Sequence, residues 1–274
     1  MHEFVDQTHI RTRHLTRQIS GAARIRGIIF DKDGTLFDFQ ATWGAWSRGL
    51  IEAEAGGDPI LVIGIADILG YDLEAERFRT DSIVVASTTD VVAERLVRLL
   101  SGATRAELVA RIDARAATAP QVEAAPLVDV LGRLARMGYT LGLATNDTET
   151  PARAHLRTAG IEEAFGFIAG CDSGWGAKPD AGQLLAFAHA AGLDPAECVM
   201  VGDSLHDLAA ARTAGMMGVG VLTGLANRET LEQTANVVLR SIADLPDWLA
   251  ARAEGGAKVG CTSCRDVPRP SSTP

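Results

Sequence analysis

Lysine is nearly absent. Of 26 basic side chains only Lys32, Lys178 and Lys258 are lysines, and the other 23 are arginines. A lysine that falls inside a motif therefore says more here than it would elsewhere. Cysteine is also scarce: four residues in a chain this long do not build a disulfide framework and fit a reducing, cytoplasmic setting. Cys261 and Cys264 form a CxxC, but no second pair accompanies it and its neighbours are Gly, Ser, Thr and Pro, which argues against a metal or redox role. No apolar run reaches the ~18–20 residues that a membrane helix needs. The best candidate, ILVIGIADILG at 60–70, is short and contains Asp67. The first 24 residues are basic and polar without an apolar centre, so they do not read as a secretory signal. Positive charge is in deficit, with a net charge of -9, which argues against a nucleic-acid binder because phosphate backbones select basic faces. A small anionic substrate is not excluded, since a few local cations and a metal override the global sign.

What is present is the composition of a globular protein, 47% hydrophobic and 22% charged in 274 residues. That length suits one large domain or a domain carrying an insert. Five apolar runs each end in small or polar residues: RIRGIIFD (24–31), YTLGLATND (139–147), FGFIAGCDS (165–173), ECVMVGDS (197–204) and MMGVGVLTG (216–224). Short runs of this kind suit strands buried on both faces of a parallel sheet. Amphipathic segments at 126–138, 150–160, 180–192 and 204–215 intervene, each closing on Gly as helices commonly do. Alternation of strand and helix predicts an α/β fold with a doubly wound, Rossmann-like parallel sheet, whose reactive groups gather at the strands' carboxyl ends. Residues 38–122 break the alternation with four helix-like stretches and predict an inserted α-helical cap over that edge. The expected organisation is an N-terminal arm (1–24), a core (25–37 and 123–253), the cap (38–122) and a disordered tail (254–274) rich in Gly, Ser, Thr and Pro.

Four strand ends carry chemistry. In Asp31-Lys32-Asp33-Gly34-Thr35 the two carboxylates stand at i and i+2 and point the same way from an extended chain. Holding them together is costly unless a proton or cation lies between, and a hard ion such as Mg²⁺ takes oxygen ligands. Thr145 offers a hydroxyl and the loop's N–H groups where the chain turns toward a helix, a place that suits phosphate oxygens. Lys178 stands just before Pro179 and Asp180, which are expected to start the next helix, and supplies a point charge. Gly202-Asp203-Ser204-Leu205-His206-Asp207 brings Asp203 to a strand tip and Asp207 one helical turn on. Each loop taken singly reads as a capped helix N-terminus. The ordered set of acidic pair, hydroxyl, ammonium and acidic pair does not.

In order and spacing, these motifs resemble those of the haloacid dehalogenase-like hydrolase superfamily over residues 25 to about 240. The insert after the first motif resembles the helical cap of the subgroup that includes phosphoglycolate phosphatases. The resemblance implies a Mg²⁺-dependent phosphatase acting on a small phosphorylated metabolite, with phosphoglycolate a candidate, as a monomer or homodimer. It implies that Asp31 is the nucleophile and forms an aspartyl-phosphate, and that Asp33 is the acid and base. The metal would be held by Asp31, the Asp33 carbonyl and Asp203, with Asp207 steadying a metal-bound water. Thr145 and Lys178 would neutralise the phosphoryl oxygens. Asn146 would orient either the leaving group or the nucleophile loop. Asp33 argues against dehalogenase chemistry, and the lack of any lysine at 38–122 removes Schiff-base phosphonate cleavage. A phosphosugar mutase and a non-catalytic binding protein remain as alternatives. The chain departs from the subgroup at Asp147, where lysine is common, and in the bulk of Phe37 and Phe39. Trp43 and Trp46 are expected to pack the cap onto the core or to wall the pocket. Arg48, Arg77 and Arg79 are the nearest cations for a second substrate anion, and His206 is expected on the helix surface.

Overall fold

Six short strands, β1 (Gly27–Phe30), β4 (Thr140–Ala144), β5 (Phe167–Ala169), β6 (Cys198–Gly202), β7 (Met217–Val221) and β8 (Val237–Leu239), pair in parallel in the order β5-β4-β1-β6-β7-β8. The computed structural model describes residues 24–85 and 87–254. The expected arm and tail, and with them Cys261 and Cys264, therefore lie almost wholly outside the described residues.

Both faces of the sheet are covered, which is why its strands are nearly all apolar. Ile28 and Phe30 of β1 point into a cluster with Leu127 and Leu134 of α5 (Leu127–Arg136), Leu156 of α6 (Glu149–Thr158) and Leu249 of α10 (Leu245–Ala253). Ile29, between them, points to the other face, against Leu184 and Phe187 of α7 (Gly182–Ala191) and Ala210 of α8 (Leu205–Ala214). That two-residue alternation fixes register, because a one-residue slip would exchange the faces. β1 has β4 on one side and β6 on the other, so the sheet reverses its winding direction beside β1. A crevice opens outside the carboxyl ends of the strands at such a reversal.

The segment after β1 leaves the sheet and returns beside itself. Asp38 N–H donates to the Val122 carbonyl at 2.8 Å and Ala124 N–H to the Leu36 carbonyl at 2.9 Å. Between these paired strands of chain lie α1 (Phe39–Ala55), α2 (Pro59–Leu69), α3 (Thr89–Leu96) and α4 (Arg105–Ala116), with a hydrophobic cluster of their own that includes Ile51, Ile65, Leu96 and Leu108. Local chemistry sets their starts. Asp38 and Asp58 cap α1 and α2, and Thr104 with Glu107 closes a capping box on α4.

Four short elements were invisible to periodicity. A hairpin of β2 (Tyr71–Asp72) and β3 (Arg77–Phe78) interrupts the helical block, and β8 and α9 (Arg228–Glu232) complete the core. Each is two to five residues long, below the length over which a period can be counted. The helix expected to start at Pro179 starts at Gly182. Among the described residues no helix is long and apolar enough to cross a membrane.

Candidate active site

The parallel register places Phe30 opposite Leu143 on one side and Val201 on the other, so the next residues of all three strands emerge together. Asp31 follows β1, Thr145 follows β4 and Asp203 follows β6. Lys178 reaches the same place from the loop between β5 and α7. The Asn146 side chain grips that loop at both ends of its amide: its Nδ2 donates to the Lys178 carbonyl and its Oδ1 accepts from the Lys178 N–H, both at 2.9 Å. The Lys178 ammonium then lies 2.6 Å from Asp31 Oδ1 and 2.7 Å from Asp207 Oδ1.

Carboxylate oxygens of Asp31, Asp203 and Asp207 all lie within 4.8 Å of one another. All three residues are buried, and one ammonium does not balance three carboxylates. Burial above all pushes Asp31 up to about 7; Lys178 pulls the other way, and Asp207 adds to the rise. Burial also drives Asp203 well above the usual carboxylate range, reinforced by Asp207 and Asp31. Asp203 Oδ2 is buried with no hydrogen-bond partner among the described residues. It rests against two glycines, Gly34 (φ +80°) and Gly224, where any Cβ would collide with its carboxylate. Buried oxygens without donors, in a cluster with excess negative charge, are the donor set a hard divalent cation selects. The Thr35 hydroxyl donates to Asp203 Oδ1 at 3.5 Å.

Asp207 has a second duty. Its Oδ2 accepts from the Ser204 N–H at 3.0 Å and from the Ser204 hydroxyl at 2.6 Å, closing the capping box that starts α8. Thr145 gives its own N–H to the Ala169 carbonyl, and its Oγ1 accepts from the Asp147 N–H at 3.1 Å, so the hydroxyl proton is its remaining donor.

Asp33 stands apart from this cluster. Its Oδ1 accepts from the Trp43 indole N–H at 2.7 Å, and its Oδ2 lies 2.6 Å from the Lys32 ammonium. Lys32 is wholly buried. Its three donors meet three acceptors: Asp33, Asp147 Oδ2 at 3.0 Å and His155 Nδ1 at 3.2 Å. Nε2 of His155 lies 2.7 Å from the Ala116 carbonyl and must donate there, which leaves Nδ1 as the acceptor. Burial first, then the Lys32 charge, hold the His155 pKa below its ordinary value, consistent with that neutral ring. Burial opposes the Lys32 charge, but Asp147 and Asp33 outweigh it and hold its pKa above the ordinary value. The Trp43 ring, 5.3 Å from the ammonium, completes the enclosure.

Between these loops and the helical block lies a cavity of about 820 Å³, its open mouth included. Asp31, Asp33, Thr145, Asn146, Lys178 and Asp207 form its floor.

A family model for haloacid dehalogenase-like hydrolases matches residues 25–215, well over half of the chain. The chain belongs to that family. A phosphoglycolate phosphatase of Rhodospirillum rubrum is 35% identical over 133 residues, 48% of this chain and 55% of the relative. One of Escherichia coli strain K12 is 29% identical over 236 residues, 81% of this chain and 91% of the relative. The crystal structure of a predicted phosphoglycolate phosphatase from Haemophilus somnus 129PT superposes with a TM-score of 0.63 at 18% identity, covering 83% of this chain and 99% of that one, a likeness of fold.

In this haloacid dehalogenase-like hydrolase the seven residues singled out by sequence converge on one edge of the sheet. Asp31, Lys178, Asp203 and Asp207 interact directly or lie within one cluster, while Thr145, Asn146 and Asp33 stand on the surrounding loops. His206 departs from expectation: it is half-buried and lines the cavity, because α8 starts at the strand tip and its first turn faces the crevice. Arg48 and Arg79 are absent from the cavity wall among the described residues. Arg48 is held by Glu52 and the Leu73 carbonyl, and Arg79 by Asp67 and Asp81. Sequence reasoning assigned Lys32 and His155 no role. Two signals bore on them, a rare lysine inside the first motif and Asp147 where lysine is common; their opposite charges balance only once the fold brings them together.

Proposed function

We propose that the chain is a Mg²⁺-dependent phosphatase that hydrolyses a small phosphomonoester through a phosphorylated Asp31. One observation carries this reading: the buried carboxylates of Asp31, Asp203 and Asp207 within 4.8 Å of one another, with Lys178 against two of them. Asp31, Asp203 and the Asp33 carbonyl would hold the ion, with Asp207 behind them. When bound, Mg²⁺ offsets negative charge on the phosphoryl oxygens and on the carboxylates.

The residues of the chain do the rest. Lys178 keeps Asp31 in place for in-line attack and places a positive charge beside the phosphoryl group as charge spreads over it. The Thr145 hydroxyl donates to a second phosphoryl oxygen. Asn146 sets the position of Lys178 through its two bonds to that residue's backbone. Asp33 delivers a proton to the leaving oxygen, then takes one from the water that cleaves the aspartyl-phosphate. Trp43, on the first helix of the block, holds Asp33 from above, so the block at 38–122 acts as a cap whose closed position also orients the acid. Release of phosphate from p-nitrophenyl phosphate is expected with Mg²⁺ and absent after chelation by EDTA. Turnover indifferent to EDTA would remove the metal from this reading.

The same cluster sets a pH dependence. An unfolded Asp ionises near 3.8, whereas Asp31 in the fold ionises at about 7. The folded state therefore binds a proton that the unfolded state has lost, and this contribution to stability fades as pH rises from about 4 to 7. A divalent cation competes with that proton and offsets the repulsion once it has left. Added Mg²⁺ is expected to raise Tm more at pH 8 than at pH 5 in thermal melts. Equal shifts at both values would separate Asp31 from the ion.

A further inference from the structure

The roof of the cavity is apolar where a second charge on the substrate would need a partner. Trp43, Trp46, Leu50, Leu69, Val92 and Ile112 face the floor, relieved only by the hydroxyls of Ser47, Ser87 and Thr89. Among the described residues, Lys178 is the only lysine or arginine in the lining, and its ammonium is engaged by Asp31 and Asp207. Arg48 is held as described, and Arg111 is held by Glu54. A carboxylate or second phosphate on the alcohol half of the ester would exchange most of its water for indole rings and methyl groups, with no second lysine or arginine among the described lining residues to balance its charge. An apolar body gains from the same exchange. His206 adds a buried Nδ1 without a hydrogen-bond partner among the described residues, which a hydroxyl on the alcohol half could meet as donor or acceptor.

We propose, resting on the phosphatase reading above, that the substrate is the phosphate ester of an uncharged alcohol with an apolar body, aromatic or branched aliphatic. Esters whose alcohol half carries its own negative charge, phosphoglycolate included, are selected against by the roof. The floor recognises the phosphoryl group alone, and the cap reads the rest.

Matched pairs test this with Mg²⁺ present. kcat/KM for 2-phosphoglycolamide is expected to exceed that for 2-phosphoglycolate by at least about tenfold, and phenethyl phosphate to exceed ethyl phosphate by a similar factor. Val84, partly exposed on the roof, is the place to add a cation. Val84→Arg is expected to shift the carboxylate-to-amide ratio toward the carboxylate by about tenfold, and Thr89→Arg repeats the test at a second roof position. A wild-type preference for 2-phosphoglycolate overturns the proposal and leaves the phosphatase standing. A ratio unmoved by both cationic variants overturns the assignment of selectivity to the roof. No phosphate release from any ester, p-nitrophenyl phosphate included, overturns the phosphatase reading and the substrate class with it.

Discussion

Turnover of p-nitrophenyl phosphate is expected to fall by at least about four orders of magnitude in Asp31→Asn, while the protein stays folded. The amide has nearly the shape of the carboxylate and can still accept from Lys178 through its oxygen. It cannot attack phosphorus to form the aspartyl-phosphate. Stability is the more discriminating half of the result. Because burial pushes Asp31 up to about 7, its charge is unfavourable in the fold above that pH. A neutral side chain removes the penalty, so Tm without divalent ions at pH 8 is expected to equal or exceed that of the wild type. Phosphate release and thermal melts on the same preparation separate the outcomes. Undiminished turnover would place the nucleophile elsewhere, and a collapsed Tm would mean that the carboxylate holds the fold together.

Lys32→Met carries the second large effect, and here stability suffers. Removing the ammonium leaves Asp33 and Asp147 facing each other without a cation, and leaves His155 Nδ1 without its donor. Breaking a buried ion pair from one side costs about 3–5 kcal/mol. The lower end applies, because the Asp33 and Asp147 side chains keep 16% and 24% exposure and water can reach them. About 3 kcal/mol corresponds to a fall of roughly 10 °C in Tm for a chain of this size. Lys32→Met with Asp147→Asn is expected to recover at least half of that loss, since the second change removes the repulsion that the first exposes. Turnover should remain depressed in the double variant, because Asp33 still lacks one of its two donors. A Tm unchanged in Lys32→Met would show that the ammonium is not bound by these partners.

The Lys32 result bears on how the site could be read from the chain. The positions of Asp31, Thr145 and Asp203 were legible because each directly follows an apolar run, and Asp33, Lys178 and Asp207 because they stand in the loops or first helical turn that follow; parallel strands bring such loops to one edge whatever the details of packing. The helical insert was legible for the same reason in reverse, as a stretch where the alternation stops. Lys32 was not legible. A residue between two motif carboxylates points the other way from both, and the sequence does not say whether that direction is water or the underside of a cap.

Periodicity and the order of the strand-end motifs by themselves determined the parallel sheet and the edge at which Asp31, Lys178, Asp203 and Asp207 gather. Those are consequences of local pattern and of the direction in which strands end. Tertiary structure alone decided that Lys32 is fully buried against Asp147 and His155, that Trp43 spans from the helical block to Asp33, and that the roof over Asp31 is made of indole and aliphatic side chains. The physical reason is that each of these depends on which side chains meet across the gap between two separately packed clusters. That meeting is fixed by how the block docks on the sheet, and docking leaves no period in the chain.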